Sequence, residues 1–340
     1  MATLLGREGP SAAATLSPLQ SFDSTDVSDG VQRFQTLPGM LAPEVVIDTP
    51  ASSPLAGLVI TECHDGPVQP GPLIIGPEGQ IVWFQPISQA TGTSALTSTF
   101  GVQSYRGQPV LPWFTGSVVY GHGLGHYEIF DTSYRQIASV TAQRGLQGDL
   151  HEFVLTPQGT ALFTCYGMAL AEVPVSGTVR SIAYWFGVVQ EVDVATGELL
   201  FHWRSDHHVA LSESYVPLAV RKEPAWDYFH INAISIDPSD GNLVISGRNT
   251  CACYKLDRKT GKVIWRLGGK HSDFQMDHGT RLAFQHDVKL HDNRVMTVFD
   301  NGGGPPRVDR QSKGLVLVVD ERRMRVRLKR TFDHDPAVYS

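Results

Sequence analysis

Histidine is the side chain whose charge changes nearest neutral pH, and it can act as base, acid, nucleophile or metal ligand. Three histidines recur at one kind of position. His151 in GDLHEF, His230 in YFHIN and His286 in FQHDV each stand at or near the start of the first strand of a predicted β-hairpin. Arg248 in SGRNT ends the hairpin that His230 opens. Across residues 229–249, Ile231, Ala233, Ile234 and Ile236 precede a Pro-Ser-Asp-Gly turn, and Leu243, Val244 and Ile245 follow it. Antiparallel pairing folds the ends of such a hairpin together, which puts an imidazole and a guanidinium within reach of one anion. Taken alone, the hairpin is more simply explained by a hydrogen-bonded strand-end histidine and a surface arginine.

The elements that must position these groups repeat along the chain. One hairpin type spans residues 72–86, 127–140, 188–203, 254–267 and 315–328. A second type, to which the histidines belong, spans 100–114, 151–166, 230–248 and 284–301, and the two types alternate strictly. Two hairpins make a four-stranded unit, and repetition of such units predicts an all-β fold, a β-propeller with about four and a half blades. Inner strands of a propeller surround its channel, so His151, His230, His286 and Arg248 are expected to converge as an anion pocket in which a neutral imidazole serves as nucleophile or base. Two other readings stay open: inter-blade hydrogen bonding by the histidines, and a three-histidine zinc site, against which Arg248 is an unfavourable neighbour. Segments 168–187 and 206–227 read as inserted loops that line or cap the site; they carry Trp185 and Trp226, and Tyr228 follows the second directly. The other histidines, His122 and His207-His208 among them, are expected in solvated turns, loops or outer hairpins.

Composition narrows the partners. A chain of 340 residues with 41% hydrophobic and 18% charged residues reads as an ordinary globular protein, and 33 Gly with 21 Pro favour many turns. A formal charge of -6, with both signs interspersed, offers no basic stripe for nucleic acid or an anionic membrane, so a small-molecule partner is expected. Cys63, Cys165, Cys251 and Cys253 are too irregularly placed for a disulfide framework. Residues 1–36 read as a flexible leader without a signal-peptide pattern, and no apolar run approaches the roughly 18 residues of a membrane span, so the default location is cytoplasmic. The folded domain is expected over residues 37–340, with a strand at 45–47.

QGDLHEF, DYFHIN, SGRNT, KTGKVIWRLGGK and FQHD followed by VFDNG, in that order, resemble the motifs of aryl-sulfate sulfotransferases, specifically the arylsulfotransferase-like branch of actinobacteria and fungi. The resemblance implies a six-bladed propeller that moves a sulfuryl group from a phenolic sulfate ester to a phenol, with no nucleotide sulfate donor or other cofactor. It also implies a sulfohistidine intermediate in a ping-pong cycle. Motif by motif, the nucleophile falls on His286, the supporting histidines on His151 and His230, and the arginine on Arg248. His151 and His230 are interchangeable at this stage as proton donor and acceptor. Trp185, Trp226 and Tyr228 are candidates to stack on the aryl ring, and Asn232 joins them as a substrate-binding candidate. The family pattern continues past residues 331–340 with a motif of the form GNxQxLxNGN, so a propeller truncated at its C-terminus is expected. The alternative function is a non-catalytic propeller that binds an anionic or aromatic ligand.

Overall fold

Short apolar runs bounded by glycine, proline and Asx turns fold as antiparallel strands throughout this computed structural model, which describes residues 30–48, 57–64, 68–87, 96–175, 177–218, 225–305, 307 and 309–339. The protein is all-β: the described residues contain strands and short 3-10 turns such as Ser205–His207 and Leu211–Glu213, and no α-helix. None of them forms a helix long and apolar enough to cross a membrane. All nine expected hairpins pair antiparallel. Their turn chemistry is local. Asp193 Oδ1 accepts the backbone N–H groups of Ala195 and Thr196, Asp257 Oδ1 those of Lys259 and Thr260, and a left-handed glycine (Gly197, Gly261) completes each turn.

The hairpins join in pairs. Ile231–Ile236, Leu243–Gly247, Ala252–Leu256 and Val263–Gly268 form a four-stranded sheet in chain order. His286–His291, Val295–Asp300, Lys313–Asp320 and Arg325–Phe332 repeat that order, with Gln275–Met276 added in parallel at the edge. Gly148–Leu155, Thr160–Val175, Thr178–Asp193 and Leu199–Arg204 form another such run, joined to the preceding strands through a single pairing of Gly125 with Gly148. A three-stranded sheet, Val59–Cys63, Gly71–Ile75 and Ile81–Phe84, leads the series.

Core side chains lie between successive sheets. One cluster runs from Phe114, Tyr127 and Phe163 through Trp203 to Phe229 and Tyr254; a second joins Val244 and Trp265 to Val288, Met296 and Leu315. Each such side chain contributes about 1.5–3 kcal/mol relative to exposure. One buried cation also ties two sheets: Lys255 Nζ lies 2.6 Å from Asp237, 2.9 Å from Asp240 and 3.0 Å from Glu321. Removing one partner would strand a buried charge, so Lys255→Ala is expected to lower stability by about 3–5 kcal/mol, and the double change Lys255→Met, Asp237→Leu to recover most of it. Urea unfolding of the two variants checks this.

Three expectations are corrected. Val31–Phe34 is a strand paired with Leu37–Pro43, so ordered structure begins before residue 37, while 45–47 form no strand; residues 1–29 lie outside those described. Segment 168–187 is no loop, because Thr160–Val175 and Thr178–Asp193 pair without interruption along sixteen residues each. Its alternation of exposed Met168 and Leu170 with half-buried Ala169 and Ala171 is a strand period.

The first strands of the three histidine-bearing hairpins run beside one another. Glu152 Oε2 accepts the Ile234 N–H at 3.3 Å and the Lys289 ammonium, and Leu290 N–H reaches Ser235 Oγ at 2.9 Å. Gln285, next to His286, donates to Ser246 Oγ at 3.0 Å and to the Gly247 carbonyl at 3.1 Å.

Candidate active site

Each of the three histidines sits where its strand pair is irregular. Pairing register shifts between Gly148 and Phe153, between Ile231 and Ala233, and between His286 and Lys289. Such bulges re-aim side chains at a strand end. His230 itself has φ +54, and Phe284 and Asp287 on either side of His286 have φ +57 and +47. Left-handed backbone at non-glycine residues costs of order 1–3 kcal/mol and clusters at functional sites.

These irregularities bring the rings together. His151 and His230 have ring centroids 5.0 Å apart, His151 and His286 6.4 Å, and His230 and His286 6.5 Å. Arg248 joins them because its N–H closes the hairpin on the His230 carbonyl at 2.9 Å, as the pairing argument expects. Its guanidinium lies over the Phe284 ring at 4.6 Å, and its buried Nε has no hydrogen-bond partner. Among the described residues no carboxylate forms an ion pair with it. A half-buried, unpaired guanidinium calls for an anion.

The three rings are held differently. Asp149 Oδ2 accepts His151 Nδ1 at 2.7 Å and the Thr164 hydroxyl at 2.9 Å, while Oδ1 takes the Gly123 N–H at 2.6 Å. Gly123 is required there, since a Cβ would stand 2.3 Å from the Leu150 nitrogen. Asp227 Oδ2 accepts His230 Nδ1 at 2.5 Å and His122 Nε2 at 3.2 Å. His286 Nδ1 meets only neutral acceptors, Asn301 Oδ1 at 2.8 Å and the Phe284 carbonyl at 3.0 Å. Holding Nδ1 as a donor leaves each Nε2 to do chemistry.

Charge follows from these partners. For His151, burial opposes protonation, but the charge and hydrogen bond of Asp149 outweigh it and raise the pKa above the ordinary value. Burial dominates at His230 despite Asp227, and pulls it to about 4. Burial also pulls His286 to about 4, with Arg248 and His151 adding repulsion that the Asn301 bond does not offset. Burial pushes the Asp227 carboxyl up, and His230 and His122 overcome this to hold it well below the carboxylate range. At neutral pH the site therefore offers two neutral imidazoles, His230 and His286, and a third, His151, whose carboxylate partner favours the protonated form. The ligand nitrogens of all three lie within 4.8 Å of one another, which is also compatible with a three-histidine metal centre.

A cavity of about 530 Å³ opens beside His230 and Arg248, walled by Trp185, Trp226, Phe284 and Pro305. Its size and aromatic walls suit a small aromatic ring, and its lining carries both the Arg248 guanidinium and the Asp227 carboxylate, the latter engaged by His230 and His122. The sequence profile described as Arylsulfotransferase (ASST) matches residues 101–340, a span that contains all of these groups. The chain belongs to the arylsulfotransferase family. No curated protein matches it in sequence. Among solved structures, a protein of unknown function from Bacteroides caccae is similar at 12% identity over 81% of this chain and 93% of that one, with a TM-score of 0.35. An auxiliary nutrient binding protein from Bacteroides ovatus ATCC 8483 is similar at 10% identity over 77% of this chain and 55% of that one, with a TM-score of 0.32. Likenesses this weak carry no argument about fold or function.

Within this arylsulfotransferase-family chain, His151, His230, His286 and Arg248 come together, and the cavity with Trp185 and Trp226 in its wall is lined by His230 and Arg248 and not by His151 or His286. Trp185 presents a buried Nε1–H without a partner, whereas Trp226 Nε1 donates to the Val216 carbonyl at 3.1 Å. Two expected substrate contacts are corrected. Tyr228 is fully buried, with its hydroxyl donating to Ser205 Oγ at 2.8 Å, so it belongs to the core. Asn232 is buried too, and its amide donates to the Gln285 carbonyl at 2.7 Å, which supports the backbone before His286 and does not face the cavity.

Four supporting groups were not singled out from sequence. Asp149 and Asp227 lie two and three residues before their histidines, inside GDLHEF and DYFHIN, and Asn301 lies inside VFDNG. His122 is the clearest miss: expected in solvent, it is 2% exposed and stacks on Tyr166 at 3.9 Å. The glycines on both sides of it, Gly121 and Gly123, were the available signal for a tightly packed histidine.

The Asp149 to His151 bond sets a pH dependence. Because His151 is raised in the fold, the stability its protonation contributes is present below its unfolded pKa and is lost as pH rises through the folded value. Asp149 is lowered: burial alone would raise it, but His151 and the N–H and O–H donors prevail, so its contribution is lost as pH falls through the folded pKa. Any turnover that uses protonated His151 should fall on the alkaline side of its raised pKa. Asp149→Asn should move that limb toward lower pH and reduce activity by about 10²–10⁴-fold, read from a pH–rate profile.

Proposed function

We propose that the protein is an aryl-sulfate:phenol sulfotransferase that acts through a sulfohistidine on His286, with its successive sheets arranged as blades of a β-propeller. The observation that carries this reading is the contrast between the neutral acceptors on His286 Nδ1 and the carboxylate on His151 Nδ1. A neutral, oriented imidazole is a nucleophile; one that keeps its proton is an acid.

In the first half-reaction His286 Nε2 attacks the sulfur of the bound ester. The N–S bond forms, the ester S–O bond breaks, and the leaving phenolate takes the His151 proton. Arg248 holds the sulfuryl oxygens, where its fixed charge is most useful in a water-poor site. The charge of the bound ester favours protonation of His230, so that its Nε2–H becomes a further donor to those oxygens. In the second half-reaction an acceptor phenol gives its proton to neutral His151, and its oxygen attacks sulfur as the N–S bond breaks. Trp185 and Trp226 supply aromatic walls for both rings in turn.

Initial rates of p-nitrophenol release from p-nitrophenyl sulfate, measured against varied acceptor phenol, test the cycle. Parallel double-reciprocal lines are expected, and intersecting lines would count against a covalent intermediate. The proximity of the three imidazole nitrogens favours one second reading, a metal-assisted hydrolase. Stoichiometric zinc by elemental analysis, with activity lost on chelation and acceptor-independent rates, would replace the transferase reading. Tight binding of p-nitrophenyl sulfate with no turnover, unchanged in His286→Ala, would instead favour a binding module.

A further inference from the structure

We infer that the recess framed by Arg144, His202, Arg204, His207 and His208 is a second binding site, separate from the histidine cluster, for a multivalent oxyanion of the phosphate class. The recess holds about 420 Å³ and is walled also by Leu146 and Phe186. Phe186 follows Trp185 in the strand Thr178–Asp193. Successive strand residues point to opposite faces, so the two cavities lie on opposite sides of that strand. His207-His208, which the sequence leaves as solvated loop residues, belong to this recess and not to the cavity beside His230.

Five side chains that are cationic or able to become so face a recess whose nearest acid is already engaged. Asp206 accepts Arg204 Nε at 3.1 Å and Nη2 at 2.7 Å, and the Tyr184 hydroxyl at 2.9 Å. Arg204 is also fixed flat over Phe186 at 3.8 Å. Arg144 forms no ion pair among the described residues and is held in the left-handed region at φ +60, before Gly145 at φ +72. Gln190 clamps this turn: its Oε1 accepts the Gln143 N–H at 2.8 Å and its amide donates to the Gln143 carbonyl at 3.0 Å. The same amide lies 3.3 Å from His202 Nδ1, which leaves the ring N–H of His202 on Nε2. His208 is stacked on Trp203, with centroids 5.3 Å apart and planes 12° apart. The clamped turn and the stacking of Arg204 and His208 hold two guanidinium groups, one of them paired with Asp206, and three imidazoles around one recess, so protonation of any one imidazole is opposed by its neighbours and favoured by an incoming anion.

That repulsion is visible at the imidazoles. Burial, then Arg144, Arg204 and His207, depress His202. Burial, then His207 and Arg266, depress His208, with Asp206 opposing. Arg266, which reaches the His208 carbonyl at 3.2 Å, is itself neutralised in part by Glu213 at 3.7 Å. An oxyanion entering the recess reverses the sign of these interactions, so binding draws protons onto the imidazoles.

Isothermal titration of the full chain with pyrophosphate, at about pH 6 and about pH 8 and in buffers of differing ionisation enthalpy, tests the site. Expected are net proton uptake and an affinity that rises as pH falls, by up to about tenfold per pH unit for each proton taken up. Arg144→Gln should weaken binding about tenfold with an unchanged thermal midpoint, while Arg248→Gln should leave it intact. Absence of binding, a pH-independent affinity, or loss in Arg248→Gln with Arg144→Gln unaffected would overturn the proposal, the last by assigning the anion to the histidine cavity.

Discussion

Replacing His286 with alanine is expected to reduce p-nitrophenol release from p-nitrophenyl sulfate by about 10⁴–10⁶-fold, because the proposed covalent cycle would lose its nucleophile and keep only binding and electrostatic stabilisation. The size of the effect follows from how the ring is prepared. Asn301 Oδ1 at 2.8 Å and the Phe284 carbonyl at 3.0 Å fix the proton on Nδ1. Burial holds the pKa near 4, so Nε2 carries a free lone pair across the physiological range. Alanine removes a half-buried ring that makes no ion pair, so the fold should persist, and an unchanged thermal midpoint would assign the loss to chemistry. Asn301→Ala should show a smaller loss, since the Phe284 carbonyl still orients the ring.

Arg248→Lys is expected to lower kcat/KM by about 10²–10³-fold, or about 3–4 kcal/mol of transition-state stabilisation. Lysine keeps the charge but loses the planar fork that stacks on Phe284 and that, in the proposed complex, would span two sulfuryl oxygens. Arg248→Ala should cost at least as much in rate while leaving stability unchanged or raised, because the guanidinium is partly desolvated without a carboxylate partner. Burial already pulls its pKa below the ordinary value. A steady-state assay together with a thermal melt separates the two effects. Equal loss of rate and of stability would mark Arg248 as structural.

The hairpin plan was legible in the sequence because each strand pair is fixed by local chemistry. A turn such as Asp193-Val194-Ala195-Thr196-Gly197 specifies its own backbone bonds, whatever the rest of the chain does. The convergence of His151, His230, His286 and Arg248 was legible as a consequence of repetition, since equivalent places in repeated units meet. Residues that act through tertiary contacts were harder to read. His122 is 105 residues from Asp227 in sequence, and only the tertiary fold, which carries both on one hydrogen-bonded sheet, makes the carboxylate shared. Tyr228 lies in an aromatic run beside His230, yet its alternation with Asp227 turns it into the core, where Ser205 takes its hydroxyl. The long arm of segment 168–187 was misread because its small and apolar residues blur a period of two.

The proton assignment is likewise a product of the fold. Sequence alone left His151 and His230 interchangeable, although each has an aspartate close by. Their difference arises from surroundings: at His230 burial outweighs the Asp227 carboxylate, with His151 and Arg248 adding repulsion, whereas at His151 the charge and hydrogen bond of Asp149 outweigh burial. Protonation is thereby favoured at His151 and disfavoured at His230.

The most direct test of the central claim is peptide mass spectrometry of the protein mixed with p-nitrophenyl sulfate in the absence of an acceptor and quenched in base. A sulfuryl group on the peptide carrying His286, formed with a burst of p-nitrophenol and discharged when phenol is added, is the expected result. Turnover to a sulfated acceptor with His286 unmodified throughout would contradict it.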